Sequence, residues 1–191
     1  MLWVRTATVE DVDQMMQLDY RYYPQKWHID LEAVKQTFRK GTQLARVVGT
    51  AEGIKGYYAA LPLNKDAYEK VLCGELKEGE LSEYVLHYRH HKEVYIYSVS
   101  IIVDIEDEQK KLYSKALVQD MPRFFNSLME AGVSIKELGA IVVSKEGKQL
   151  LERIGYQHHG QILTYEGLEY PIYRAHVWSI LDAIKTPITA F

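Results

Sequence analysis

Only one thiol, Cys73, occurs in the 191-residue chain. One cysteine excludes an internal disulfide and a thiolate-based metal site, and it suits a reducing compartment. No Cys-His signature surrounds it, so Cys73 reads as a small apolar residue rather than a nucleophile. Positive charge is not in excess either: the formal net charge is −3, which leaves no general basic field for a nucleic-acid backbone. No stretch approaches the apolar length needed to span a bilayer. The opening, Met1 to Thr6, lacks a basic segment followed by a long apolar run and does not read as a secretion signal. The expectation is a cytoplasmic protein with neither membrane nor nucleic acid as partner. Gly/Ser linkers and internal repeats are also missing. The length fits one domain or two tightly coupled small ones, and without a linker residues 1–191 are read as a single domain. A hydrophobic share of 47% with 26% charged residues argues against disorder, so the chain should fold.

What is present alternates between strand and helix signals. Leu2 to Thr8 reads as a strand, and Thr8 can cap a helix from about Val9 to Tyr20 with Val12, Met15, Met16 and Leu18 on one stripe. Asp30 is a second cap, before Leu31, Val34 and Phe38 at helical spacing, with Gly41 as the stop. Gln43 to Thr50 and Ile54 to Leu61 form a predicted hairpin around Ala51-Glu52-Gly53. Lys65 to Cys73 and Leu81 to Tyr88 are predicted short helices. A central strand spans about Val94 to Val103, its apolar end that of a strand covered on both faces. Lys110 to Ala131 carries a helix pattern in which Pro122 predicts a kink or break near Met121. Gly139 to Val143 reads as a buried strand, and Ser144 caps a helix that stops at Gly155. Two strands, Gln157 to Tyr165 and Glu169 to Trp178, close the chain around Glu166-Gly167.

This order, with its α+β composition, resembles the GNAT superfamily of N-acetyltransferases over nearly the whole chain. The segment Val142 to Tyr156 is similar to the family's strand, polar cap, helix and closing "x-G-F", with Ser144 in place of Asn and Tyr156 in place of Phe. The family's Q/R-x-x-G-x-G/A signature matches Gln109-Lys110-Lys111-Leu112-Tyr113-Ser114, where Leu112 replaces a glycine. Glycine there lets backbone N–H groups at a helix start approach a pyrophosphate closely. Leu151 stands where many members carry the tyrosine that protonates the departing thiolate.

The resemblance implies a mixed, largely antiparallel sheet flanked by helices, and transfer of an acetyl or other acyl group from a coenzyme A thioester to an amine. Acetyl-CoA would be the co-substrate, and a small-molecule or peptide amine the acceptor. By the same resemblance Ile101, Ile102 and Val103 would pair with the pantetheine arm, and Gln109, Lys110, Lys111, Leu112, Tyr113 and Ser114 would cradle the phosphates. Glu93, near the start of the central strand, is the first candidate for the base, against an ordinary solvated charge. Tyr113 is the substitute acid, against simple packing of its ring. The aromatic-rich segment Tyr20 to His28 borders the acceptor pocket in such folds. His87, His90 and His91 lack a matching carboxylate or cysteine, so no metal is expected. Two alternatives remain: a module of the same architecture without turnover, given Leu112 and Leu151, and a homo-oligomer in which Pro187 to Phe191 packs on a neighbour.

Overall fold

A computed structural model describes residues 1–40 and 42–185, except for the side chain of Lys185. The expected stop at Gly41 and the apolar end from Pro187 to Phe191 lie outside the described residues. Seven strands form one sheet in the order β1-β2-β3-β4-β5-β7-β6. They are β1 (Trp3–Thr6), β2 (Ala45–Thr50), β3 (Gly53–Leu63), β4 (Glu93–Val103), β5 (Ser134–Ile141), β6 (Gln157–Tyr165) and β7 (Leu168–Ala175). Only the β4–β5 pairing is parallel; the other neighbours are antiparallel.

The helices are α1 (Val12–Tyr22), α2 (Leu31–Arg39), α3 (Lys65–Cys73), α4 (Lys110–Glu130), α5 (Lys145–Arg153) and α6 (Val177–Lys185). Side-chain caps fix three starts: Asp30 accepts from the Ala33 amide, Asn64 from Ala67 and Ser144 from Gly147. Each such cap satisfies a donor that the first helical turn leaves orphaned. The segment after Thr8 is first a 3₁₀ turn, Val9–Asp11, and only then α1. Asp11 holds that turn by accepting from the Thr8 amide at 2.8 Å and from Arg5. The α4–α6 face of the sheet buries Leu117, Phe124 and Phe125 against Ile96, Leu138 and Tyr173. On the opposite face α3 buries Tyr68, Val71 and Leu72, and α1 buries Met15.

Three expectations are corrected. The segment Leu81 to Tyr88 is not an α-helix: a 3₁₀ turn covers Glu78–Glu83, and irregular backbone follows. The Leu86 amide donates to Pro62 O at 2.8 Å, and this tertiary bond outcompetes helix propagation while Leu81, Val85 and Tyr88 stay buried. The strand expected to reach Trp178 ends at Ala175, because Val177, Ile180 and Leu181 instead bury at helical spacing as α6. Finally, α4 runs through Pro122 without a break. An interior proline costs about 3 kcal/mol, whereas burying each of Leu117, Met121, Phe124, Phe125 and Leu128 contributes about 1.5–3 kcal/mol. The buried stripe therefore decides, aided by Asp120, which accepts from Arg46 of β2 at 2.7 Å and from the Tyr58 hydroxyl at 3.1 Å.

At the end of α5, Gly155 has φ of +98°, and an added Cβ would lie 2.7 Å from the Ser179 carbonyl oxygen of α6. Both the left-handed backbone and the close approach require glycine. Gly155→Ala is expected to destabilise the fold by at least about 1 kcal/mol, by adding strain and separating α5 from α6. The check is a lower urea midpoint at an unchanged m-value.

Candidate functional site

The parallel pairing of β4 and β5 runs only from Glu93 opposite Ser134 to Tyr97 opposite Gly139. Beyond it β5 continues beside β7, from Leu138 to Ile141, while β4 continues beside β3. The strands part, and the gap is a cleft between Ser98–Ile101 and Ala140–Val143, floored by Leu150 and Leu151 of α5. A strand that loses its neighbour turns backbone donors and acceptors toward whatever fills the gap. On the β3 side Ala59 faces Ser100 and Ala60 faces Ser98, so Val99 is an extra, bulged residue. That bulge places Val99 at the junction of the cleft with two further cavities.

The first of these, about 40 Å³, holds two carboxylates, Asp19 of α1 and Glu78, between Tyr23, Trp27 and Ser100. The second, about 70 Å³, shares Asp19, Glu78 and Ser100 and adds Thr37 and Tyr57 to a mainly apolar wall that includes Met15, Met16, Val34, Phe38 and Leu81. A wider mouth of about 270 Å³ leads in past Trp27, Ile29 and Glu78. The first cavity joins the two, sharing Val99 and Ser100 with the cleft and Trp27, Ile29 and Glu78 with the mouth.

Asp19 is buried and accepts from the Tyr57 hydroxyl at 2.8 Å and from Ser100 at 3.4 Å. Burial raises its pKa above the ordinary carboxylate range, and those hydroxyls only partly oppose the rise. Glu78 accepts from the Tyr97 hydroxyl. Its residue is half-buried, but the carboxyl end is enclosed, and burial, together with the Asp19 charge and against the Tyr97 bond, pushes its pKa up to about 7. Burial pushes the Tyr23 phenol up to about 12, with a further rise from Asp19. Near neutral pH the site holds a carboxyl poised between its two forms and a phenol that keeps its proton.

The residues singled out in the sequence are distributed unevenly around this junction. Ile101 lines the cleft; Ile102 packs into the core with Met15 and Tyr57, and Val103 pairs with Gly56 at the strand's far end. Leu151 lines the cleft as an apolar wall. Gln109 to Ser114 begin α4 away from the cleft walls. There Lys110 donates to Ile105 O, Lys111 and Leu112 are exposed, Ser114 is half-buried, and Tyr113 is buried with its hydroxyl donating to Asp107. Glu93 is exposed, pairs with Lys136 at 2.9 Å, and lies at the closed end of the β4–β5 pair. Four residues of strand lie between it and Ser98, a span of roughly 17 Å, and Tyr113 lines neither the cleft nor the cavities beside it, so Glu93 and Tyr113 do not meet at the junction. His87 and His90 sit on a turn with ring centroids 5.4 Å apart.

Asp19 was discoverable as the one acid on the buried side of α1, next to Met15, Met16 and Leu18. Glu78 carried no local signal, since its environment comes from Tyr97, nineteen residues on. The aromatic segment delivers Tyr23 and Trp27 to the pocket, while Tyr20 is exposed and donates to Ile29 O at 2.5 Å.

A carboxyl raised in the folded state holds its proton there after the unfolded chain has lost it, so its contribution to stability falls as pH rises between the two values. For Glu78 that window runs from the ordinary 4.5 to about 7. Relative to the parent protein, Glu78→Gln is therefore expected to gain stability as pH rises through this window and to level off above it. Urea denaturation of both proteins on either side of the window is the check, and a constant difference would count against the buried-carboxyl assignment.

Comparison with known proteins completes the picture. No protein-family profile matches the sequence, and no curated protein matches it. Solved structures do. An N-acetyltransferase from Staphylococcus aureus Mu50 superposes with a TM-score of 0.59 at 14% identity, over 93% of this chain and 99% of that one. Arabidopsis thaliana NAA60, solved with acetyl-CoA, gives 0.56 at 14% identity, over 92% of this chain and 97% of that one. The GNAT-like decarboxylase GphF, solved with isobutyryl-CoA, gives 0.62 at 13% identity, over 92% and 99%. With the parallel β4–β5 pair inside an otherwise antiparallel seven-stranded sheet, these near full-length matches make the chain a divergent bearer of the GNAT fold.

Proposed function

We propose that this protein transfers an acyl group from a pantetheine-type thioester to an amine. The observation that carries this reading is a pocket with two carboxylates that shares Val99 and Ser100 with the cleft along the β4 edge, and Trp27, Ile29 and Glu78 with the wider mouth. An amide-bearing arm lying along Ser98–Ile101 extends the sheet and brings its thioester carbonyl to the bulge. Backbone N–H groups there are fixed before reaction, as stabilisation of a developing oxyanion requires. An ammonium entering past Trp27 is drawn by Asp19 and Glu78, and the apolar chamber beside them selects an amine with a small apolar group.

Glu78 takes a proton from the ammonium. The freed nitrogen attacks the carbonyl and a C–N bond forms; the attached nitrogen then releases its second proton to solvent, and the tetrahedral intermediate expels the thiolate as the C–S bond breaks. Tyr23, which lines both the pocket and the cleft, gives its proton to the sulfur and recovers one through solvent from Glu78. The products are an amide and a thiol. In this assignment Glu78 and Tyr23 take the roles that the sequence suggested for Glu93 and Tyr113. A second reading, a thioester-binding module without turnover, is favoured by Leu151, which has no proton to donate from the cleft wall.

Turnover of acyl thioesters with a panel of small apolar amines decides between these readings. The parent protein should show kcat/KM rising with pH through a limb near 7, as a base that must be deprotonated requires. Glu78→Gln should lower kcat/KM by about a hundredfold and abolish that limb. Tyr23→Phe should lower kcat by about tenfold or more while leaving thioester binding intact. An unaltered pH profile in Glu78→Gln would remove Glu78 as the base, and saturable binding without any turnover by the parent would favour the module.

A further inference from the structure

The turn joining β4 to α4 is where a nucleotide diphosphate would be held if helix-start amides served it, and here it is built from acids. Between Asp104 and Gln109 stand Asp104, Glu106, Asp107 and Glu108. Two of them occupy the donors of the turn themselves. The Gln109 amide donates to Asp107 Oδ1 at 2.8 Å, and the Glu106 amide donates to Asp104 Oδ1 at 3.2 Å. The Lys110 and Leu112 amides are used by Asp107 O and Gln109 O.

Asp107 is anchored on its other oxygen as well. Oδ2 accepts from the Tyr113 hydroxyl at 3.2 Å and pairs with Lys55 at 3.1 Å. The Gln109 amide first, and Lys55 next, hold its carboxyl below the ordinary range, so it stays ionised. Three nearby cations are committed, since Lys55 also pairs with Glu52, Arg21 lies within 3.8 Å of both Asp104 and Glu106, and Lys110 donates to Ile105 O, while Lys111 is exposed. An entering diphosphate would have to displace a carboxylate from its amide, hydroxyl and ammonium partners while facing three further acids. Like charges gathered around an anion disfavour it, and an amide already bonded to a carboxylate offers it nothing. The cleft between β4 and β5 carries no such obstruction.

We infer that the acyl donor is recognised by its pantetheine arm alone, the start of α4 being closed to a nucleotide diphosphate by the carboxylate of Asp107. The arm half of this statement rests on the acyl-transfer reading; the closed turn does not. Two measurements on the full chain separate them. The first is a titration of isotope-labelled protein with inorganic pyrophosphate, followed at the backbone amides of Glu106 to Tyr113, which should not shift saturably. The second compares S-acetylpantetheine with acetyl-CoA, whose KM values should agree within about threefold, since the nucleotide adds no contact. In Asp107→Ala, acetyl-CoA is expected to gain about fivefold or more in affinity while S-acetylpantetheine is unchanged.

Saturable pyrophosphate shifts in the parent protein, or a KM for acetyl-CoA lower by tenfold or more, would overturn the inference and leave acyl transfer standing. Failure of both thioesters to bind, with the α4 amides still indifferent to pyrophosphate, would overturn the transfer reading and the arm assignment while upholding the closed turn. The measurements on the parent protein decide the matter even if Asp107→Ala does not fold.

Discussion

The short parallel pairing of β4 and β5 is the constraint from which the rest of the site follows. It ends at Tyr97 and Gly139 because each strand is held more extensively elsewhere, β4 by β3 and β5 by β7. A wedge sits at the fork. The buried ring of Tyr68 packs on Gly139, where an added Cβ would lie 2.5 Å from its hydroxyl oxygen. That hydroxyl donates to Glu137, which also accepts from Arg174 of β7. The ion pairs of Arg174 with Glu69 and Glu137 thus tie α3, β5 and β7 together behind the opening. The cleft is held open by packing in the core, with no ligand needed to prise it apart.

The same core explains why two carboxylates are tolerated in the interior. Burying a charge without partners is costly, and proteins escape by hydrogen bonding or by shifting the pKa toward the neutral form. Asp19 and Glu78 do both: tyrosine hydroxyls from β3 and β4 serve them, and their pKa values rise. The Asp19 charge adds to the rise at Glu78. Both carboxylates lie between the bulged strand and the open mouth.

Much of this architecture could be read from the chain, because α3, α5, the β2–β3 hairpin and the β6–β7 pair are specified by local caps, turns and period. Glu166 and Gly167 adopt positive φ at the turn where two strands were expected. What could not be read depended on distant partners. The Leu81 to Tyr88 helix lost to a bond with Pro62, and Pro122 was absorbed because α4 is anchored on both sides of it. The site divided the same way. Ile101 and Leu151, singled out through the resemblance, line the cleft, whereas Glu93 stands at the closed end of the same strand as Ile101. Register, which no local pattern reports, separates Glu93 from the opening.

The departures at Leu112 and Leu151, and the carboxylate of Asp107, fall into place once the two ends of an acyl donor are considered separately. An arm held by a strand edge contacts backbone, and backbone is supplied by any sequence that keeps the register. The fold itself is shared at the 10–16% identity separating this chain from its structural neighbours. A diphosphate cradle makes a sequence demand, because it needs unoccupied amides, close approach and no opposing charge. Leu112 is exposed and fills no structural role in the core, so nothing in the packing forced glycine out. Asp107, by contrast, is integrated with Lys55, Tyr113 and Gln109. The turn joins β3 to the start of α4 through the Lys55 pair. A carboxylate that secures this junction occupies an amide a phosphate would need, and the exposed leucine beside it costs the core nothing.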